Sequence, residues 1–431
     1  MTSPTSFPNK LRSFASGRAL PLFLLIAGSL VFFIQGARGI LDEDSNDYAV
    51  FHWGAVEAWN QSELLYRRPS NKEDRHYLYP PSGACAMIPL GWLPLRVSGL
   101  LFNAARLAAL AWVLWTILEW RQREEGRRAI AWDKAALWIA FGAILLNARY
   151  LQSEFRNGQV NLVLLAMALG GARWSFRDSP GWQWAGGCLI GFAAGVKGMP
   201  FLLAGVPLLY GRWRAVTGAF AMALALGALS VWWLGPENAE MHWILWKERS
   251  ERSASMRWEK DVIVSLPELV VSSAFGAGRW IAPEDTGRWW LMEAAIMAAL
   301  YLSLREVRKR TGHGVSPAWD AALAALAMVL LGPVTRKAHV VFALPALALW
   351  LWLSFGKGFR AASGKAKAGL ALLALLFLGG RSVALDRLFP GVDANPAPLL
   401  ACAAAGAFLA LTPLPKPTEV SEEFKKSTLQ T

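Results

Sequence analysis

The chain has 431 residues, of which 55% are hydrophobic and only 17% charged, with 23 tryptophans and a mean hydropathy of +0.31. That balance excludes a soluble globular protein and describes a polytopic membrane protein. The formal net charge of +13 sits in short Lys/Arg clusters between apolar runs, the pattern of cytoplasmic loops under the positive-inside rule, so no nucleic acid is expected as a partner. Cys85, Cys188 and Cys402 are far apart in apolar surroundings, which indicates packing residues rather than a disulfide framework or a metal site.

Residues 1–18 are polar and carry Lys10, Arg12 and Arg18; the apolar run at 19–34 lacks a small-x-small cleavage site and reads as a first span and signal anchor with a cytoplasmic N-terminus. The following loop, about 41–81, is then extracytoplasmic, which suits its acidity at Asp42, Glu43 and Asp44. Further apolar segments lie at 82–93, 98–120, 135–146, 160–174, 184–210, 216–234, 289–304, 318–331, 340–355, 368–380 and 396–411. Together they predict about ten to thirteen spans, several shorter than the ~20 residues of a perpendicular helix. Parity conflicts with the basic clusters Arg121 to Lys134 and Arg212 to Arg214 unless 82–93 is half-inserted or 184–210 breaks at Gly198–Met199–Pro200. Residues 235–288 form a second large loop with amphipathic helix character, Trp243, Trp246 and Trp258 being suited to the membrane interface. A polar tail occupies 413–431.

Asp47 opens a run in which Tyr48, Phe51, Val56 and Trp59 recur at helical spacing, with Ser45 or Asn46 available as cap. Its carboxylate is either a first-turn acid favoured by the helix dipole or a chemical group in the loop. Asp42, Asp44 and Asn46 imitate the start of an EF-hand, but the sixth position has no glycine, so calcium is not expected there. Tyr79–Pro80–Pro81 fixes the re-entry into the membrane. Arg156, Asn157, Gln159 and Asn161 cluster at the start of an apolar helix, either satisfying backbone groups or forming a ligand subsite. Lys197 lies inside an apolar segment, where a charge costs ~2.5–3.5 kcal/mol and demands a partner; a lipid phosphate, a salt bridge or snorkelling would each serve. Arg336, Lys337 and His339 set two cations and an imidazole at a membrane boundary, as a basic loop or as a phosphate clamp.

Five stretches, in order, carry a family resemblance: Asp47–Tyr48 with Leu65–Tyr66; Tyr79–Pro80–Pro81 with Pro89–Leu90 and Leu93–Pro94; Asn157–Gly158–Gln159–Val160–Asn161; Val196–Lys197–Gly198–Met199–Pro200 with Arg212–Trp213–Arg214; and Gly332–Pro333–Val334–Thr335 with His339. In these the chain resembles glycosyltransferase family 87, of the GT-C membrane glycosyltransferases. It departs from the family pattern at Gly332–Pro333–Val334–Thr335–Arg336–Lys337, where the family usually has Ser-Pro-x-Ser-Trp ahead of its histidine, and at Ile263–Val264–Ser265–Leu266, where the family tends to Asn-Gln-Ser-Leu.

The resemblance implies an all-α, GT-C-like bundle over about 19–412, with short helices in the two extracytoplasmic loops, in the bacterial inner (plasma) membrane. It implies transfer of a hexose of mannose type, with inversion, from a polyprenyl-phosphate donor to a lipid or glycan acceptor. Asp47 is then the general base, and Lys197, Arg336, Lys337 and His339 hold the donor phosphate. Tyr48, His52, Tyr79, Arg156, Asn157, Gln159 and Asn161 line the substrate, and neither a cofactor nor a metal is called for. A departing polyprenyl phosphate is already a stable anion, so one base on the acceptor suffices. The absence of a GxxxxGK[ST] loop agrees with a lipid-linked donor. The competing class is a transporter or flippase of a lipid-linked saccharide, with Lys197 and Arg336 on the cargo; a membrane scaffold stands third, opposed by the intramembrane charge.

Overall fold

A computed structural model describes residues 17–41, 47–67, 76–126, 133–255, 262–263, 286–312, 314–330, 335–378 and 397–414. Among the described residues the secondary structure is helical apart from one two-residue strand pair. Helix α1 (Ala19–Leu41) exposes Leu22, Phe23, Ile26 and Leu30, side chains that water would reject and lipid accepts. Helix α2 (Asp47–Trp59) carries the first polar loop and buries Tyr48, Val50, Phe51 and Ala55.

The segment at 82–93 does not cross the membrane. It splits into α3 (Pro81–Ala86) and α4 (Ile88–Gly91), each opened by a proline at its first turn, and together they are far shorter than a span. The His52 Nε2–H donates to the Leu93 carbonyl at 2.8 Å and fixes this hairpin against α2. Helix α5 (Leu95–Glu124) follows; its 30 residues give about 45 Å of helix, more than the ~30 Å hydrocarbon core.

Helices α6 (Lys134–Leu146) and α7 (Ala148–Arg156) form an apolar pair bent by 68° at Asn147, whose Nδ2 donates to the Val340 carbonyl at 3.2 Å. Then come α8 (Asn161–Trp174) and α9 (Pro180–Val196). The apolar run at 184–210 is broken: α9 stops at Val196, Lys197 is extended at φ −155° and ψ 106°, and a 3-10 turn (Met199–Ala204) leads into α10 (Gly205–Leu209). Both devices that could reconcile the basic clusters with the span order are therefore present.

Helix α11 (Trp213–Leu234) packs on α9 along a seam of small residues. A Cβ on Gly187 would lie 2.1 Å from the Ala215 carbonyl oxygen, and one on Gly191 equally close to that of Ala219, so the backbones touch directly. The second loop opens with α12 (Pro236–Ser255), whose Trp246 donates to the Leu78 carbonyl and whose buried His242 donates to that of Ser62. Strand β1 (Val262–Ile263) pairs antiparallel with β2 (Thr335–Arg336), joining this loop to the segment that precedes His339. The remaining helices are α13 (Thr286–Arg310), α14 (Pro317–Leu330), α15 (Leu344–Phe355) entered by a 3-10 turn (Lys337–Ala343), α16 (Gly364–Leu378) and α17 (Ala397–Leu411).

Among the described residues α1, α5 and α11 are long and apolar enough to span by themselves, the bent pair α6–α7 makes a fourth if it crosses as one span, and five shorter apolar helical stretches accompany them. The far end of α5 is tied by ion pairs. Glu119 pairs with Arg173 and Arg123, Arg121 with Glu124 and Glu125, and Glu124 accepts the Ala318 N–H at 2.9 Å at the start of α14. The expected cap at Ser45 or Asn46, the acids Asp42 to Asp44, Trp258 and most of both polar termini lie outside the described residues.

Candidate active site

At the opposite end of α5, the elbow between α7 and α8 organises the polar side chains. Helix α7 ends in a Schellman turn: the Gly158 N–H bonds to the Phe155 carbonyl at 3.3 Å and the Gln159 N–H to that of Glu154 at 3.1 Å. Gly158 sits at φ +66°, a left-handed conformation that a side chain would strain. The reversal lets two neighbours address one carboxylate. The Asn157 carbonyl accepts the Asp47 backbone N–H at 2.9 Å, and the Gln159 Nε2–H donates to Asp47 Oδ2.

From Gln159 the contacts continue. The Tyr79 hydroxyl lies 3.5 Å from Gln159 Oε1, and the Tyr79 ring rests on Phe51 with centroids 4.4 Å apart. On the same ring the Lys197 ammonium lies 5.4 Å from the centroid, within cation–π range. Lys197 Nζ donates to Asn161 Oδ1 at 2.7 Å and lies 2.8 Å from His339 Nε2. Gln159, Asn161 and His339 are buried, whereas Asp47, Tyr79 and Lys197 are partly accessible. The base candidate and the cation therefore face the open side of the network while their supports are dry.

Four of the sequence-derived stretches converge directly here, and the fifth arrives through His339. Other expected residues lie differently. Tyr48 is 1% exposed and packs on Phe102 at 4.9 Å between centroids; burial pushes its phenol up to about 12, which keeps it neutral. His52 serves the Leu93 carbonyl, Asn157 acts through its backbone while its Nδ2 donates to Ser153, and Arg156 is exposed. The backbone of Arg336 and Lys337 belongs to β2 and the following turn, and their side chains lie outside the described residues.

Two buried groups escaped the sequence reading. Glu154, fully buried, accepts the Asn161 Nδ2–H at 2.9 Å and the Leu162 N–H at 3.0 Å. Arg106, equally buried between the rings of Phe102 and Phe155, donates to the carbonyls of Glu154 and Phe155 at 2.7 and 3.0 Å and to Asn103 Oδ1 at 2.8 Å. Arg106 carries the signal that singled out Lys197, an ionisable side chain in an apolar run, whereas Glu154 sits in the polar stretch from Arg149 to Arg156 and shows none. Among the described residues no cluster of His, Cys, Asp or Glu fits a metal ion, and the three cysteines are free.

Residues 77–331 match the profile of glycosyltransferase family 87. The chain belongs to that family. The matched region includes Tyr79, the elbow and Lys197, but neither Asp47 nor His339, which reach this family 87 core through the Asn157 carbonyl and the Lys197 amine.

Two similar proteins come from Mycolicibacterium smegmatis. A polyprenol-phosphate-mannose-dependent alpha-(1-2)-phosphatidylinositol pentamannoside mannosyltransferase is 27% identical over 307 residues, covering 70% of this chain and 67% of its own. A polyprenol-phosphate-mannose-dependent alpha-(1-2)-phosphatidylinositol mannoside mannosyltransferase is 25% identical over 351 residues, covering 76% and 74%. An alpha-(1->3)-arabinofuranosyltransferase of Mycobacterium tuberculosis is 27% identical over 173 residues, 39% of this chain, and the chain spans only 37% of that relative's length. Among solved structures, ArnT from Cupriavidus metallidurans bound to undecaprenyl phosphate is similar with a TM-score of 0.42 and 16% identity over 91% of this chain and 76% of that one.

Proposed function

We propose that this family 87 protein is a membrane glycosyltransferase that moves a sugar from a polyprenyl-phosphate donor to a hydroxyl of a lipid or glycan acceptor. The observation that carries this reading is the unbroken line of contacts from the Asp47 carboxylate through Gln159 and Tyr79 to Lys197, Asn161 and His339. It links an acceptor of protons to a holder of anions through Gln159 and the Tyr79 ring. The two mannosyltransferase relatives favour a hexose of mannose type. The end of α5 that carries Arg121 and Arg123 is the cytoplasmic one under the positive-inside rule, which leaves Asp47 on the extracytoplasmic face.

In this reading Asp47 takes the proton of the acceptor hydroxyl as its oxygen attacks the anomeric carbon from the side opposite the phosphate. The bond between that carbon and the phosphate oxygen breaks, the configuration inverts, and the phosphate departs as an anion beside Lys197 and His339. Gln159 holds the carboxylate in place, and the Asn157 carbonyl holds the backbone behind it.

The test is Asp47→Asn, whose shape leaves the N–H to Asn157 intact. Transfer from a lipid-linked donor should fall by ~10²–10⁴ with expression unchanged. Undiminished transfer by the variant would remove Asp47 from the base role. Reconstitution of the protein into proteoliposomes separates an enzyme from a flippase, because only an enzyme changes the covalent linkage of the sugar.

A further inference from the structure

Asn161 bonds at both ends of its amide, and the two ends do opposite things. Its Oδ1 accepts from the Lys197 ammonium at 2.7 Å and its Nδ2 donates to Glu154 Oε2 at 2.9 Å. A primary amide can turn over and exchange oxygen for nitrogen at no covalent cost, so an external group must decide which end faces the lysine. The Glu154 carboxylate does so because, when ionised, it only accepts: its Oε1 takes the Leu162 N–H and its Oε2 can take nothing but the NH2 end of Asn161. The backbone of Glu154 is held as well, since Arg106 donates to its carbonyl and to that of Phe155.

We propose that Glu154 is a positioning residue for the phosphate-binding lysine: it fixes the polarity of the Asn161 amide and through it the place of the Lys197 ammonium. The inference rests on Lys197 facing the donor phosphate and assigns a role to a side chain that touches no substrate.

The polarity can be reversed by substitution. In Glu154→Gln the Leu162 N–H, fixed in the backbone, claims the new amide oxygen and leaves an NH2 group toward Asn161. Asn161 must turn over, its own NH2 then meets the ammonium, and the flexible lysine moves away. In Asn161→Asp two carboxylates face each other across a buried gap. Combined as Glu154→Gln with Asn161→Asp, the Gln NH2 donates to one Asp oxygen and the other accepts from Lys197. The hydrogen bonds are restored and the total charge is unchanged.

The experiment measures binding of undecaprenyl phosphate to the purified full chain in detergent, with sugar transfer alongside. Each single variant should bind the probe roughly ten- to hundredfold more weakly, the value of a charge-assisted hydrogen bond, and the double variant should return to within about threefold of wild type. A double variant no better than the Glu154→Gln protein, or a Glu154→Gln protein that binds as wild type does, overturns the proposal. If the single variants fail to purify as monodisperse protein, recovery of both folding and binding in the double variant supports it, and failure of the double variant overturns it. A wild-type chain that does not bind the probe refutes the donor-site reading itself, whereas wild-type binding with no polarity effect refutes only the role of Glu154.

Discussion

Gly54→Ala sets two effects of known size against each other on the helix that bears Asp47. Gly54 lies within α2, and a Cβ there would be 2.6 and 2.7 Å from Cδ2 and Cε2 of Tyr77. The Tyr77 ring has no room to withdraw. It is fully buried, its centroid lies 5.7 Å from that of Tyr66 and 5.8 Å from that of Tyr79, and its hydroxyl abuts Gly83. Overpacking of this kind costs ~1–3 kcal/mol, while replacing a helical glycine by alanine returns up to ~1 kcal/mol. From the middle of the first range the net expectation is a loss of about 1–2 kcal/mol, a fall in Tm of about 1–2 °C for a chain of 431 residues at roughly 1 °C per kcal/mol. The control is Gly28→Ala in α1, where nothing lies within 4 Å of the added methyl and no loss is expected. Tryptophan fluorescence of both variants during heating in detergent reads the difference. Because α2 starts at Asp47, the tilt imposed by Tyr77 should lower sugar transfer as well. A Gly54→Ala protein as stable as the Gly28→Ala protein would refute the tight packing of α2 on Tyr77.

Arg106→Lys retains the charge but not the fork that serves the Glu154 and Phe155 carbonyls together with Asn103, so thermal stability should fall by an amount near ~1–3 kcal/mol; an unchanged Tm would refute the bidentate role. His242 is buried, and that burial pushes its imidazole below the ordinary 6.5, with the Arg67 guanidinium acting in the same direction. The folded protein thus prefers the neutral ring, so its contribution to stability is complete above pH 6.5 and is lost as pH falls through the lowered folded value. Wild-type Tm should drop more steeply on acidification than that of His242→Gln, which has no titrating group at this position; parallel curves would remove His242 from the acid response.

The helical membrane fold was legible because apolar runs and basic clusters obey simple transfer energetics, and Lys197 stood out by the cost of its charge. The breaks were harder to read. Hydropathy does not distinguish a proline-started hairpin such as α3–α4 from a short span, and at 184–210 it showed a possible break without deciding for it. Within α2, helical spacing told which residues share a face but not whether that face meets the core or the site. So Tyr48 and His52 stand beside Asp47 in the chain and yet serve packing and the Leu93 carbonyl. Glu154 went unread because Arg149, Gln152 and Arg156 make its stretch look like an ordinary polar turn, and Arg106, although it stands in an apolar run, because its partners are carbonyls and an amide that leave no opposite charge in the sequence.

The elbow between α7 and α8 has a consequence for how such a protein can vary. Eight consecutive residues, 154–161, reach the backbone and side chain of Asp47, the hydroxyl of Tyr79 and the amine of Lys197. One inserted residue there would throw three distant segments out of register together.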